Sequence, residues 1–438
     1  MIRARTVSTL AAFALLASPL GAQAVAIRGG TVHTLAGPAI ENGTVVTQNG
    51  RITAVGAGAA VPAGAKVIDA TGLHVYPGLF DAASRLGLTE IGQVDVTQDM
   101  TELGEFNPHL LAATAVHPAG EHIPVARANG VTHAVTAPQA RPGGIGGQAT
   151  LIGLDGWTIE EMQVQPSVGF VVSWPRYGGG GFGFGGGGFG GQPQTRTFRE
   201  IKRQHDEQVR RLEGWLDAAR RYDAAVKAKE AVPRDLKLEA LARATRGELP
   251  LLVMVDQERE IREAVEFAEK QGVKMVIYGG SQAYRVRTLL AEKKVPVILG
   301  PTQSTPTGQD AGYDERVAAP GLLHQAGVRF AVATYNSSDS RTLPYEAASA
   351  VSFGLPREEA LKAVTLYPAQ ILGVADRLGT IEAGKLANVI VTDGDPLEIR
   401  TQIKHVVIAG REASLDNKHL ELYQRYRSRP RPAAAPAR

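Results

Sequence analysis

LLVMVDQEREIREAVEFAEKQGVKMVI, residues 251–277, holds two short apolar runs, Leu251-Leu252-Val253-Met254-Val255 and Val273-Lys274-Met275-Val276-Ile277, around a segment of different period. Each run has the length and near-continuous apolar character of a strand buried on both faces, as in a parallel sheet. Residues 259–271 between them carry apolar side chains at helical spacing, so the stretch reads strand, helix, strand. The same runs recur on either side: Gly130-Val131-Thr132-His133-Ala134-Val135-Thr136, Pro296-Val297-Ile298-Leu299 and Val328-Arg329-Phe330-Ala331-Val332-Ala333, with a helical pattern over residues 282–294. Repetition of this unit predicts an α/β fold built on a β/α barrel.

The flanks read differently. From Val25 the chain alternates apolar and polar residues, and Asn49-Gly50 separates Gly43-Thr44-Val45-Val46-Thr47 from Arg51-Ile52-Thr53-Ala54-Val55, a strong hairpin signal. Ala387-Asn388-Val389-Ile390-Val391-Thr392 and His405-Val406-Val407-Ile408-Ala409-Gly410 alternate in the same way near the other end. These strands bracket the barrel and predict a small β-sandwich made by both chain ends. The expected organisation is a leader over 1–24, sandwich strands over 25–76 and 377–413, the barrel over 77–376 with an insertion over 175–245, and a helical or disordered tail over 414–438.

The chain has 438 residues, 44% hydrophobic and 21% charged, enough for a sizeable core. Its start has Arg3 and Arg5, an apolar run from Leu10 to Leu20, and the small-x-small site Ala22-Gln23-Ala24, the pattern of a secretory signal peptide. A span would need about 20 apolar residues, and Pro19 and Gly21 interrupt the run, so no membrane span is expected in the mature form, which is placed in the periplasm or outside the cell. Removal of the leader takes two of 47 basic residues against 44 acidic ones, leaving 47 − 2 − 44 = +1, which is not the charge of a nucleic-acid binder. With no cysteine there can be no disulfide or thiolate site.

Residues 178–191, GGGGFGFGGGGFGG, are low-complexity and lack the Lys-Ser/Thr of a phosphate-cradling loop. A helix is predicted next, over 197–231, with Val209, Leu212, Leu216, Ala219 and Val226 as a stripe that packs on the barrel. Residues 428–438, rich in Pro, Ala and Arg, read as a disordered tail.

Several motifs carry a resemblance: Pro77-Gly78-Leu79-Phe80-Asp81, the Gly143-Gly144-Ile145-Gly146-Gly147-Gln148 loop, Leu355-Pro356-Arg357-Glu358-Glu359-Ala360-Leu361, Thr365-Leu366-Tyr367-Pro368-Ala369, and the block from Leu378-Gly379-Thr380 to Leu386-Ala387-Asn388. Together with the opening hairpins they resemble the amidohydrolase superfamily, in particular its imidazolonepropionase-like secreted branch. The resemblance implies a distorted TIM-like barrel beside a β-sandwich, with a metal held by His-x-His after strand one, Lys or Glu on strand four, single histidines after strands five and six, and a catalytic Asp after strand eight. At the matching positions this chain has Ala83 and Arg85, a strand four over 168–174 with neither Lys nor Glu, then Met254, Gly279 or its neighbour, and Tyr335. Alanine has no lone pair, arginine stays protonated, and a thioether is a poor ligand for a hard cation. The metal site therefore reads as degenerate, and no cofactor is expected.

Two ways of rebuilding chemistry remain. A divalent metal could sit at a relocated site near His109, His117, His122 and His133, although no two histidines have the spacing His-x-His or His-x3-His. Alternatively, Asp81, His133, Asp256, Asp339 and Arg341 could leave a residual pocket; Asp256 and Asp339 could equally form salt bridges to Arg85 or Arg341 that fill the space of a metal. Asp81 in the family serves the turn. The expectation is a pseudoenzyme that pairs with a homologous, active amidohydrolase subunit as a hetero- or homo-oligomer, or binds a small ligand. The alternative is a hydrolase of C–N bonds other than peptide bonds, such as cyclic amides or dipeptides, working through a different site.

Overall fold

The computed structural model describes residues 24–177, 197–306 and 311–430. The expected leader, the Gly/Phe stretch and the end of the tail lie outside the described residues.

The first five strands are β1 (Val25–Val32), β2 (Ile40–Gln48), β3 (Arg51–Gly56), β4 (Lys66–Asp69) and β5 (His74–Pro77). Barrel strands follow: β6 (Leu79–Ser84), β7 (Val131–Thr136), β8 (Ile145–Gly153), β9 (Gln163–Ser173), β10 (Leu251–Val255), β11 (Met275–Gly279), β12 (Val297–Leu299) and β13 (Phe330–Val332). The chain closes with β14 (Val389–Thr392), β15 (Ile403–Ile408) and β16 (Arg411–Ala413). One sheet runs β16-β15-β14-β5-β1-β2-β3 with β4 beside β1, so strands from both chain ends share it. Its core is Ile27, Val45, Ile52, Val75, Val389, Val391, Val407 and their neighbours. Asn49 and Gly50 at its hairpin have φ of 51° and 77°, the two left-handed positions that the tight turn requires.

The second sheet runs from β6 to β13 in chain order. Its last and first strands meet where the Tyr335 N–H donates to the Ala83 carbonyl at 2.7 Å, giving a nearly closed TIM-like barrel. Alternate residues separate two cores. Phe80, Val135, Leu151, Leu252, Val276, Ile298 and Ala331 fill the interior, whereas Leu79, Val131, Leu251, Val253, Ile277 and Phe330 meet the surrounding helices.

Three expectations are refined here. The glycine-rich segment over 143–148 is not all loop: β8 begins at Ile145 and runs antiparallel to both β7 and β9. Its glycines are there for close approach of backbones, since a Cβ at Gly146 would lie 2.3 Å from the Gln139 carbonyl oxygen and one at Gly144 as close to that of Glu105. The long helix spans Phe198–Lys227, not 197–231. Thr197 caps it in a reciprocal box with Glu200, and Lys229 at φ 58° leaves helical geometry before residue 231 is reached. Leu212, Leu216 and Ala219 are buried, and Val226 is exposed. Residues 282–294 likewise divide into a 3-10 turn, Ala283–Val286, and a short helix, Arg287–Glu292, ended by Lys294 at φ 53°.

Candidate functional site

In a barrel of this kind the C-terminal ends of the parallel strands form the functional face. There Ala83, Met254, Tyr278, Ala333 and Tyr335 belong to the interior apolar cluster. Met254 is 8% exposed, Tyr278 3% and Tyr335 6%, so these side chains are buried in the interior cluster. The rings of Tyr278 and Tyr335 meet edge to face with centroids 4.7 Å apart, and the Tyr335 hydroxyl donates to the Ile298 carbonyl at 2.7 Å. Burial pushes both phenols well above their ordinary range, so they stay neutral. Tyr335 holds φ at 57°, unusual for a large side chain, and it is fixed there by its N–H bond to Ala83.

On strand six, where Gly279 or its neighbour was expected, the residue turned into the barrel is the neighbour Tyr278. Successive strand residues face opposite sides, and Gly279, at φ 116°, lies against Asp256, whose Oδ1 would be 3.1 Å from a Cβ placed there. On strand four Ser173 is buried at the end of β9, and Trp174 turns outward to meet Phe267 edge-on at 5.2 Å.

Asp81 lies within β6, fully buried. It accepts from the Thr334 N–H at 3.1 Å, the Thr334 hydroxyl at 2.5 Å, the Ser340 hydroxyl at 3.0 Å and the Ala83 N–H at 3.3 Å. Burial pushes its carboxyl up to about 7 in spite of these bonds. Rather than serving a turn, Asp81 ties strand one to the segment after strand eight.

His133 sits in the core between Thr132 Oγ1, 2.9 Å from Nδ1, and Asn388 Nδ2, 3.0 Å from Nε2. Burial pushes it down to about 3. Asn388 also accepts from the Ala409 N–H at 2.7 Å, so this pair joins the barrel to the second sheet.

The expected salt bridges of Asp256 and Asp339 are replaced by other contacts, and no ion pair involves either carboxylate among the described residues. Asp256 accepts from the Ser281 N–H at 3.0 Å, and its charge acts on Arg176. Asp339 is exposed and accepts from the Ser338 hydroxyl at 3.3 Å. The carbonyl of Arg341 accepts from Asn129 Nδ2 at 2.5 Å. Arg85 is half-buried, and its charge is felt by the Tyr278 phenol. Asp81, His133, Asp256, Asp339 and Arg341 thus do not converge on one pocket.

Nor do the histidines. His122 Nε2 lies 2.8 Å from the Glu90 carbonyl, and His109 Nδ1 is buried without a hydrogen-bond partner among the described residues. Among the described residues no three His, Asp or Glu side chains group closely enough to hold a metal. The donor set at the barrel face does not fit one either: a methyl, a guanidinium, a thioether and two neutral phenols, one already bonded to a carbonyl. Sequence reasoning missed the His33–His74 contact, with Nε2 and Nδ1 3.1 Å apart, because it depends on the parallel pairing of β1 with β5. Between Gly279 and its neighbour, the alternation of β11 could have singled out Tyr278.

A sequence model of the amidohydrolase family matches residues 260–413. The amidohydrolase tasK of Hapsidospora irregularis is 27% identical over 402 residues, covering 84% of this chain, which spans only 39% of that relative's length. The crystal structure of an amidohydrolase from Thermotoga maritima MSB8 superposes with a TM-score of 0.76 at 26% identity, over 89% of this chain and 99% of that one. An adenosine deaminase from Xanthomonas campestris, solved with bound zinc, shares the fold at 16% identity, with a TM-score of 0.52 over 92% of this chain and 97% of its own. The family model, the curated relative and the solved structures all indicate the amidohydrolase superfamily for this chain.

Proposed function

We propose that this chain is a non-catalytic member of its superfamily, exported to the cell envelope, that acts as the partner subunit of an active homologue. The observation that carries this reading is the make-up of the barrel face: Ala83, Met254, Tyr278 and Tyr335 stand there as buried, packed side chains, with no imidazole or carboxylate among them. A hydrolytic metal needs about three or four nitrogen or oxygen ligands to bring its water near a pKa of 7. Retention of the barrel and of the sheet joined from both chain ends is what selection for assembly alone would preserve. Export is supported by the leader pattern of the first 24 residues.

The test is elemental analysis of the purified, leader-free chain for zinc, iron and manganese, with melting followed before and after chelation. Co-expression with a homologue that keeps His-x-His should then give one complex by size-exclusion chromatography. No stoichiometric metal, no melting shift and a stable complex are expected. A stoichiometric metal, or chelator-insensitive turnover of cyclic amides or dipeptides by the chain alone, would overturn the reading.

A further inference from the structure

A cleft of about 440 Å³ lies outside the barrel between the long helix Phe198–Lys227 and the helix Glu258–Gln271, beside the end of β9. That volume suits a small molecule. Trp174, at the end of β9, lines it; the indole is 2% exposed, and its Nε1 has no hydrogen-bond partner among the described residues. A buried N–H left unpaired costs about 1–3 kcal/mol, so such a donor in a cleft wall points to an acceptor supplied from outside.

A complementary acceptor lines the same cleft. Glu263 Oε1 is satisfied, taking the Tyr177 hydroxyl at 2.8 Å and Arg259 Nε at 3.3 Å. Its Oε2 is buried and unsatisfied: His205 Nε2 lies 3.1 Å away, an ion-pair distance, but the two are not aligned for a hydrogen bond. The rim is divided by charge. Lys202 pairs with Asp206 and Lys270 with Glu213, which leaves Arg210 on one helix and Glu266 on the other without an ion pair among the described residues. Phe267 supplies an apolar wall between them.

We propose that this cleft binds a small zwitterion of the free amino acid class. Its carboxylate would lie toward Trp174 Nε1 and Arg210, its ammonium toward Glu263 Oε2 and Glu266, and its side chain against Phe267. The site is separate from the barrel face, so the inference stands whether or not that face has any activity.

The test is titration of the leader-free chain with single L-amino acids, followed by calorimetry and tryptophan emission. Among the three tryptophans Trp174 is the one in the cleft, so Trp174→Phe should abolish the emission change. Saturable binding is expected, weakened about tenfold by Glu263→Gln and by Arg210→Met, the loss of one charge-assisted hydrogen bond each. Glu266→Gln, at an exposed position, reads the ammonium side in a variant whose fold is not at risk. N-acetylated and C-amidated forms of any hit should bind more weakly. Absence of heat and emission change across the panel, or equal binding of the blocked forms, would overturn the proposal and leave the orphaned groups to ordered water.

Discussion

Tyr278 and Tyr335, 57 residues apart in the chain, meet edge to face at 4.7 Å inside the functional end of the barrel. Neither ring is more than 6% exposed. Aromatic pairs in this geometry add about 0.5–1.5 kcal/mol to the burial of their surface. The positions that the family gives to ligands thus serve packing in this chain.

Truncation of either ring should therefore act as a core deletion. Tyr278→Ala and Tyr335→Ala are each expected to cost about 3–5 kcal/mol, and the double variant less than the sum, because the rings share a contact. Urea denaturation reads both effects. A cost below about 1 kcal/mol for both would mean that the barrel end is not packed as described.

Restoring only the first pair of ligands should fail to restore a metal. In Ala83→His/Arg85→His the imidazoles would join Met254, Tyr278 and Tyr335, a thioether and two neutral phenols, one of them already bonded to a carbonyl, in place of the further histidines and carboxylate a hydrolytic metal needs. Elemental analysis should find no stoichiometric zinc in the purified double variant. One zinc per chain would show that the other positions are dispensable.

The barrel was legible because its strands are continuous apolar runs of a length that only a two-sided burial explains, as in Leu251–Val255. β8 was not, since its glycines look like loop residues and reveal their purpose only against Glu105 and Gln139. At the candidate site the substituted positions could be named from motifs, but not their partners. That Asp81 meets Thr334 and Ser340 depends on barrel closure between residues more than 250 apart. The cleft beside Trp174 depends on how two helices lie on the barrel, which no local pattern encodes.

Asn388 should matter more than its place in a short connecting segment suggests. It contacts His133 Nε2 at 3.0 Å and takes the Ala409 N–H at 2.7 Å, so Asn388→Ala leaves two groups without their partner where the barrel meets the second sheet. The expected cost is about 1–3 kcal/mol for the buried His133 nitrogen, since Ala409 is exposed. Limited proteolysis should show earlier cleavage near the second sheet, and a variant as resistant as the parent would remove this joint from the account.

The pH dependence of stability should depend on two buried groups that oppose each other. Burial raises the Asp81 carboxyl from an ordinary 3.8 to about 7, so the folded chain keeps a proton that the unfolded chain has released. Stability from this group is full below 3.8 and is lost as pH rises toward 7. Burial lowers His133 from 6.5 to about 3, so on acidification the unfolded chain takes up a proton that the folded chain refuses. Stability from this group is full above 6.5 and is lost as pH falls toward 3. Between 3.8 and 6.5 the two slopes cancel, and the parent protein should show little net dependence from this pair. Asp81→Asn should then gain stability with rising pH across that window, and His133→Asn should lose it. Urea midpoints measured across the window for the three proteins read the slopes directly, and identical profiles for parent and variants would show that neither group titrates with folding.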